Sequence, residues 1–140
     1  GGIGVAVPGD LVAQSIADLE RFGVPKRGWL GASLISLDEL PPVLLRAVGL
    51  TSTQGAMVDR VEPGSPAARA GLKGAQRDTQ GRLLALGDVI LAVDGVAVKD
   101  KADVVRLVAQ RRPGDRVRLT LWRDRRRLEV TVVLMARPRE

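Results

Sequence analysis

Residues Val61 to Leu72 read Val-Glu-Pro-Gly-Ser-Pro-Ala-Ala-Arg-Ala-Gly-Leu, and no other stretch of the chain is so tightly punctuated. Proline fixes φ and removes a donor, while glycine takes left-handed turns that other residues resist. Ser65 therefore reads as the N-cap of a short helix, Pro66 as its first residue and Gly71 as the residue just past its end. A helix of one to two turns is what remains. The apolar runs on either side, Ala56 to Val61 and Val89 to Val93, read as strands. The second runs into Asp94-Gly95, a strong signal for a tight hairpin turn, and then into Val96 to Val98.

Around this unit the sequence predicts a small α+β domain of about five to six strands and two to three helices. Ile3 to Val7 reads as the end of a strand stopped by Pro8-Gly9-Asp10. Leu11, Val12, Ile16, Leu19 and Phe22 then recur at helical spacing until Gly23, and Val24-Pro25-Lys26 reads as a short linker. Asp38-Glu39 open a second helix with Pro41 and Pro42 in its first turn and Gly49 at its end. Lys73 to Leu86 is polar and without period, so it reads as a long loop. Asp100 caps a helix over Lys101 to Arg111. Two strands close the chain, Arg116 to Trp122 and Leu128 to Leu134, and in the first of them Val117, Leu119 and Leu121 alternate with polar residues.

Composition narrows the function. With no histidine and no cysteine among 140 residues, Ser-His-Asp and Cys-His catalysis, disulfides and the common zinc sites are all excluded within this polypeptide. No cofactor is implied. The net charge is +6, but the charge follows strand alternation, and Phe22, Trp29 and Trp122 are the only aromatic residues, too few for nucleic-acid stacking. No apolar run approaches the roughly 20 residues of a membrane span, so direct membrane insertion is not expected.

One stretch does suggest a site. In Lys26-Arg27-Gly28-Trp29-Leu30-Gly31-Ala32-Ser33-Leu34-Ile35 a basic pair and two glycines run into an apolar strand. Gly31 permits a tight turn that presents the N–H groups of Leu30, Gly31 and Ala32 together, a nest suited to a carboxylate. The strand beyond it would offer an edge to which an extended peptide can add.

These residues resemble a PDZ domain, specifically that of the HtrA (DegP/DegQ-like) family of trypsin-fold serine proteases. Gly28 to Ala32 is similar to the carboxylate-binding loop, Val61 to Leu72 to the turn and short helix, and Gly87 to Gly95 to the hairpin after it. Gly2 to Pro8 and the following helix resemble the end of the protease domain. The resemblance implies residues 1–25 as that end plus linker, 26–136 as a PDZ-like small β-barrel or sandwich with the permuted strand order of bacterial members, and 137–140 as a tail. It also implies that Leu30, Gly31 and Ala32 hold a terminal carboxylate, that Arg27 adds positive potential, and that Ala32, Ser33 and Leu34 pair with the ligand backbone. Lys101, Val105 and Val108 would face them from the helix, Val108 near the bottom of the pocket. Trp29 stands beside the loop, as a ligand contact or as packing. Two departures are notable: Ala32 replaces a larger residue and leaves more room in the pocket, and Asp124-Arg125-Arg126 lacks the glycine usual after aspartate, which predicts a longer or altered turn.

The implied role is binding of protein or peptide C-termini, or of unfolded apolar segments, beside an upstream protease domain whose catalytic residues lie outside this chain. The implied setting is a bacterial periplasm or envelope, with a possible homo-oligomer through the parent protein. The alternative is a structural or assembly PDZ domain whose groove is filled by a neighbouring subunit or by its own tail.

Overall fold

The structure is a computed structural model, and it describes residues 27–137. The strand and helix expected within residues 1–25, and the end of the tail, lie outside the described residues. Among the described residues there are ten strands: β1 (Gly28–Trp29), β2 (Ala32–Ser36), β3 (Ala56–Val61), β4 (Gln76–Arg77), β5 (Leu83–Ala85), β6 (Val89–Val93), β7 (Val96–Ala97), β8 (Arg116–Arg123), β9 (Arg126–Val133) and β10 (Met135–Ala136). Three α-helices accompany them, α1 (Pro42–Ala47), α2 (Pro66–Arg69) and α3 (Lys101–Ala109), with a 3-10 turn over Leu37–Glu39. Six strands form the main antiparallel sheet, in the order β2-β3-β6-β8-β9 with β7 paired to β6. β1 pairs β10 and β4 pairs β5 as separate ribbons. This is the α+β, six-stranded arrangement expected, and β2 lies at the edge of the sheet.

The sheet is covered on both sides, and that explains its central strands. The larger core joins Val58, Ile90, Val104, Val108, Leu119 and Leu121 beneath α3. A smaller one joins Leu37, Leu40, Leu45, Met57 and Val89 beneath the 3-10 turn and α1. Ala56, Met57 and Val58 are all buried because alternate side chains enter alternate cores, so β3 reads as a continuous apolar run. β8 keeps the alternation: Val117, Leu119 and Leu121 are buried while Arg116 and Arg118 are exposed. Trp122, on the polar side of that alternation, is nevertheless half-buried because its Nε1 donates to the Val48 carbonyl at 2.8 Å and ties α1 to the sheet.

Three expectations require correction. The helix read from Asp38 to Gly49 is a 3-10 turn followed by a separate α1, with Leu40 extended at φ −101°, ψ 151°. The ring of Pro41 disfavours a helical residue before it, so one helix cannot run through. The loop read over Lys73 to Leu86 contains the β4–β5 ribbon. Arg77 pairs with Asp59 at 2.9 Å, and Asp78 accepts from the Gln80 and Arg82 amides, so side chains hold a ribbon too short to show a period. The turn at Asp124-Arg125 is neither long nor irregular. Both residues take positive φ, 53° and 62°, and the strands meet at the Arg123–Arg126 pair. The eight-pair ladder and a hydrogen bond from Arg125 to the Ala47 carbonyl at 2.9 Å offset the local strain.

Candidate functional site

Between β2 and α3 lies a cleft of about 580 Å³, and the loop Leu30-Gly31 closes one end of it. How that loop is held determines what it presents. The Leu30 carbonyl accepts from the Ala67 amide of α2 at 2.9 Å, and the Gly31 carbonyl accepts from the Glu62 amide at 2.9 Å. Every described peptide is trans, and in a trans peptide the carbonyl of one residue and the N–H of the next point in opposite directions. Drawing those two carbonyls back onto the punctuated turn therefore aims the N–H groups of Gly31 and Ala32 the other way. Among the described residues, neither the Leu30 nor the Gly31 amide donates to a protein acceptor.

The sheet register extends the same pattern along β2. Because Glu62 donates to Gly31, Ala32–Val61 is a non-hydrogen-bonded pair of the β2–β3 ladder. Leu37 donates to Gly55 at 3.1 Å, which makes Ser36–Ala56 and Leu34–Val58 pairs of the same kind. The backbone groups of Ala32 and Leu34 thus turn away from β3 toward α3. At Ser36 the edge closes: its amide donates to the Glu39 carboxylate at 3.3 Å, and its Oγ accepts from the Lys101 amide at 3.0 Å. The open edge is two rungs long.

Gly31 is indispensable to this geometry. Its φ is +81°, and a Cβ placed there would lie 2.2 Å from the Ser65 Cβ. Ser65 cannot easily withdraw, since it is buried and its Oγ accepts from the Ala68 amide at 3.1 Å as the cap of α2.

Most of the residues singled out in the sequence come together here. Arg27, Trp29, Leu30, Gly31, Ala32 and Leu34 line the cleft from one side. Val105, 60% exposed, and Val108, 5% exposed, line it from α3, one on the rim and one at the bottom. Trp29 is half-buried against Gly31, which places it in the wall and in the packing together. Two side chains stand outside the lining. Ser33 alternates to the opposite face of β2, so only its place in the strand bears on the cleft. The Lys101 ammonium lies 3.8 Å from the Glu39 carboxylate, beyond the closed end.

Sequence reasoning missed Val104, Ala136 and Arg137 in the lining, and the two amides that hold the loop. Val104 and Val108 share one helical stripe and both line the cleft, which the apolar i, i+4 spacing could have indicated. Ala136 and Arg137 also line it, brought there by the β1–β10 pairing, for which two-residue strands give no sequence signal. The amides of Glu62 and Ala67 act only through the loop they hold.

A second cleft, about 710 Å³, lies between α1, the β4–β5 ribbon and the β8–β9 turn. Its centre is structural. Asp88, 2% exposed, accepts from Arg123 at 2.6 and 2.8 Å and from the Lys73 amide at 2.9 Å. The hydrogen bonds that it donates to Asp88 push the pKa of the Arg123 guanidinium above its ordinary value. Among the described residues there is no cluster of three or more acidic residues fit to hold a metal ion, and no helix long and apolar enough to cross a membrane.

A sheet edge with outward backbone groups, a glycine loop with inward amides and a helix alongside define a domain class that receives an extended chain end. Residues 28–134 match the PDZ domain, and the chain belongs to that family. It is 32% identical over 139 residues to a probable periplasmic serine endoprotease, DegP-like, of Brucella suis, covering 99% of this chain and 24% of that protein. It is also 32% identical to Protease Do-like 1, chloroplastic, of Arabidopsis thaliana, covering 99% of this chain and 30% of that protein. Among solved structures it resembles the HtrA-type protease AlgW with a tripeptide, at 30% identity and a TM-score of 0.66 over 96% of this chain and 40% of that one. The same protease with a decapeptide matches at 30% identity and a TM-score of 0.63, over 92% and 35%. The chain thus spans about a quarter of the length of the DegP-like bacterial relatives.

Proposed function

We propose that this chain is the peptide-binding module of an HtrA-like serine endopeptidase, and that it captures C-terminal carboxylates or exposed apolar segments of misfolded proteins by strand addition. In this reading the carboxylate sits on the Leu30, Gly31 and Ala32 amides with Arg27 adding positive potential, and the ligand backbone pairs with Ala32 and Leu34. The last ligand side chain enters between Leu30, Val104 and Val108. Residues 1–25 end the protease domain, 26–136 form the PDZ domain and 137–140 are a tail. Occupancy of the groove regulates the protease, and the parent protein works in a bacterial periplasm or envelope, the compartment named for the Brucella relative. The chain itself, having no histidine, leaves casein intact.

The observation that carries this reading is the orientation of the loop. Two carbonyls bound by Glu62 and Ala67 turn two amides into an apolar cleft, a combination suited to an anionic acceptor that also brings an apolar side chain. Its test is a fluorescein-labelled octapeptide ending in leucine, titrated as the free acid and as the C-terminal amide. The free acid binds with micromolar or weaker affinity, since burying one side chain supplies only about 1.5–3 kcal/mol against the costs of association. Equal binding of the amide removes the carboxylate from the mechanism. A second reading, occupation of the groove by the chain's own tail or a neighbouring copy, draws on Ala136 and Arg137 lining the cleft. Deleting residues 137–140 then tightens peptide binding.

A further inference from the structure

The hairpin β8–β9 has one face in the core and one face open. Val117, Leu119 and Leu121 join the core beneath α3, so the residues alternating with them point to the other side of the sheet. Register carries that face across both strands: Arg116 is paired with Val133, Arg118 with Thr131, Thr120 with Glu129 and Trp122 with Arg127. Directly opposed residues in an antiparallel pair share a face, so Arg116, Arg118 and Arg127 stand on one surface with Glu129. All four are exposed, as are Thr131 and Val133. Further in, Thr120 is paired with Ala92, and Ala92 with Ala97 of β7, so small side chains keep the surface low. The smaller core beneath α1 reaches no further into these strands than Leu91 and Trp122.

The charge on this surface is one-sided. Among the described residues Arg116 and Arg127 form no ion pair, and Arg118 meets Glu129 only at 3.9 Å, with the two side chains 63% and 60% exposed. A pair so wet contributes little. Other acids that could balance the arginines are engaged elsewhere, Asp59 with Arg77, Asp88 with Arg123 and Asp94 with Arg111. The geometry then selects the kind of anion. Arg127 lies opposite Trp122, six residues along β8 from Arg116. At about 3.3 Å per residue the cations are spread over about 20 Å of low surface, too wide for one small ion and suited to a plane of many phosphates. Nucleic acid fits less well, because binding it draws on stacking platforms or an element that enters a groove. Trp122, the one aromatic residue on this face, is held by the Val48 carbonyl.

We propose that the open face of the β8–β9 hairpin is a docking surface for an anionic phospholipid bilayer, with Arg116, Arg118 and Arg127 against the lipid phosphates. The contact is electrostatic and peripheral, and no segment enters the hydrocarbon. Because α3 packs on the opposite face of the sheet, a bilayer lying on these arginines leaves α3 and the cleft beside it turned toward solution. The surface does not depend on what occupies that cleft. It fixes instead how the domain is oriented when a membrane is near.

The experiment sediments the 140-residue chain with vesicles of phosphatidylcholine and phosphatidylglycerol in equal amounts, and with vesicles of phosphatidylcholine alone. In about 0.1 M salt, where the screening length is about 10 Å, the chain binds the anionic vesicles and stays in solution with the neutral ones; about 0.5 M salt releases it. Each basic residue near an anionic surface contributes about fivefold in affinity, so Arg116→Gln with Arg127→Gln weakens binding by about 25-fold. The comparison is Arg69→Gln with Lys99→Gln, which removes the same charge at the end of α2 and before α3 and weakens binding by less than about threefold. All four side chains are exposed, so both double variants keep the wild-type melting temperature. Equal binding to the two kinds of vesicle, or binding to neither, refutes the surface. Equal losses in the two double variants leave net charge as the cause and refute the face. If duplex RNA strips the chain from the vesicles at a phosphate concentration below that of the lipid, the face serves a nucleic acid and the membrane assignment falls.

Discussion

Gly31→Ala tests the loop geometry most directly, because the structure supplies each part of its cost. The added Cβ would lie 2.2 Å from the Ser65 Cβ, against about 3.4 Å for ordinary contact, so the loop or the cap must move by about 1.2 Å. Overpacking of this kind costs about 1–3 kcal/mol. Holding alanine at φ +81° costs a further 1–2 kcal/mol or so. Restricting the unfolded chain returns about 0.4–1 kcal/mol. The net loss is about 1–4.5 kcal/mol, which lowers the melting temperature by about 5–20 °C in a domain near 100 residues. Moving the loop also disturbs the Gly31 and Ala32 amides, and losing one hydrogen bond to a charged group weakens octapeptide binding by about tenfold or more. The clash and the strain can be separated with Ser65→Gly, which removes the opposing Cβ and costs only a few tenths of a kcal/mol as an N-cap. In a double-mutant cycle read by thermal melts, Gly31→Ala in the Ser65→Gly background loses only the strain part, a coupling of at least about 1 kcal/mol. A Gly31→Ala variant melting within a degree or two of wild type, or a cycle that adds without coupling, would refute the packing argument.

Other outcomes follow from the same coordinates. The room left by Ala32 makes terminal leucine, phenylalanine or methionine bind more tightly than valine or alanine, by about fourfold for each methylene buried; equal affinities across the peptide series would contradict it. Arg123→Met leaves Asp88, 2% exposed, without its cation and costs about 2–3 kcal/mol in urea titrations, less than a fully buried pair because Arg123 keeps 22% of its exposure; a loss under 1 kcal/mol would show that the pair is dispensable. The Lys99 amide, and then Arg106, hold the Asp103 carboxyl below its ordinary 3.8, and the Arg82 amide does the same for Asp78. Folded values lower than unfolded ones give stability that is complete above about pH 4 and lost as pH falls through the folded values. Melting temperature therefore holds steady from pH 7 to 5 and drops below 4, with a shallower acid limb in Asp103→Asn; identical limbs would exclude that carboxylate.

The parts of the fold legible in the sequence are those whose signals are local. Ser65, Pro66 and Gly71 mark α2, whose Ser65 cap accepts from Ala68 as that punctuation requires. Asp100 marks the start of α3 in the same way, accepting from the Asp103 amide. The Asp94-Gly95 turn and the β8 alternation were equally plain. What escaped was non-local or very short. The β4–β5 ribbon depends on Arg77 reaching Asp59, the tight Asp124-Arg125 turn depends on the ladder behind it, and the position of Trp122 depends on α1 folding back over the sheet.

The candidate site divides along the same line. Gly31 in its basic, apolar context was enough to identify the loop and the strand edge, because positive φ and close approach are properties that one residue type provides. The chain order alone could not say which way the loop amides face. That is decided by Glu62 and Ala67, which lie about thirty residues or more along the chain and whose donors turn two peptide planes. Nor could it place Arg137 beside Arg27, since pairing register is settled only when the whole sheet closes around its two cores. The sequence determined the longer elements and their caps; the short ribbons and the direction in which unpaired groups point were determined by tertiary contacts, because a backbone donor points wherever the partner of its neighbouring carbonyl directs it.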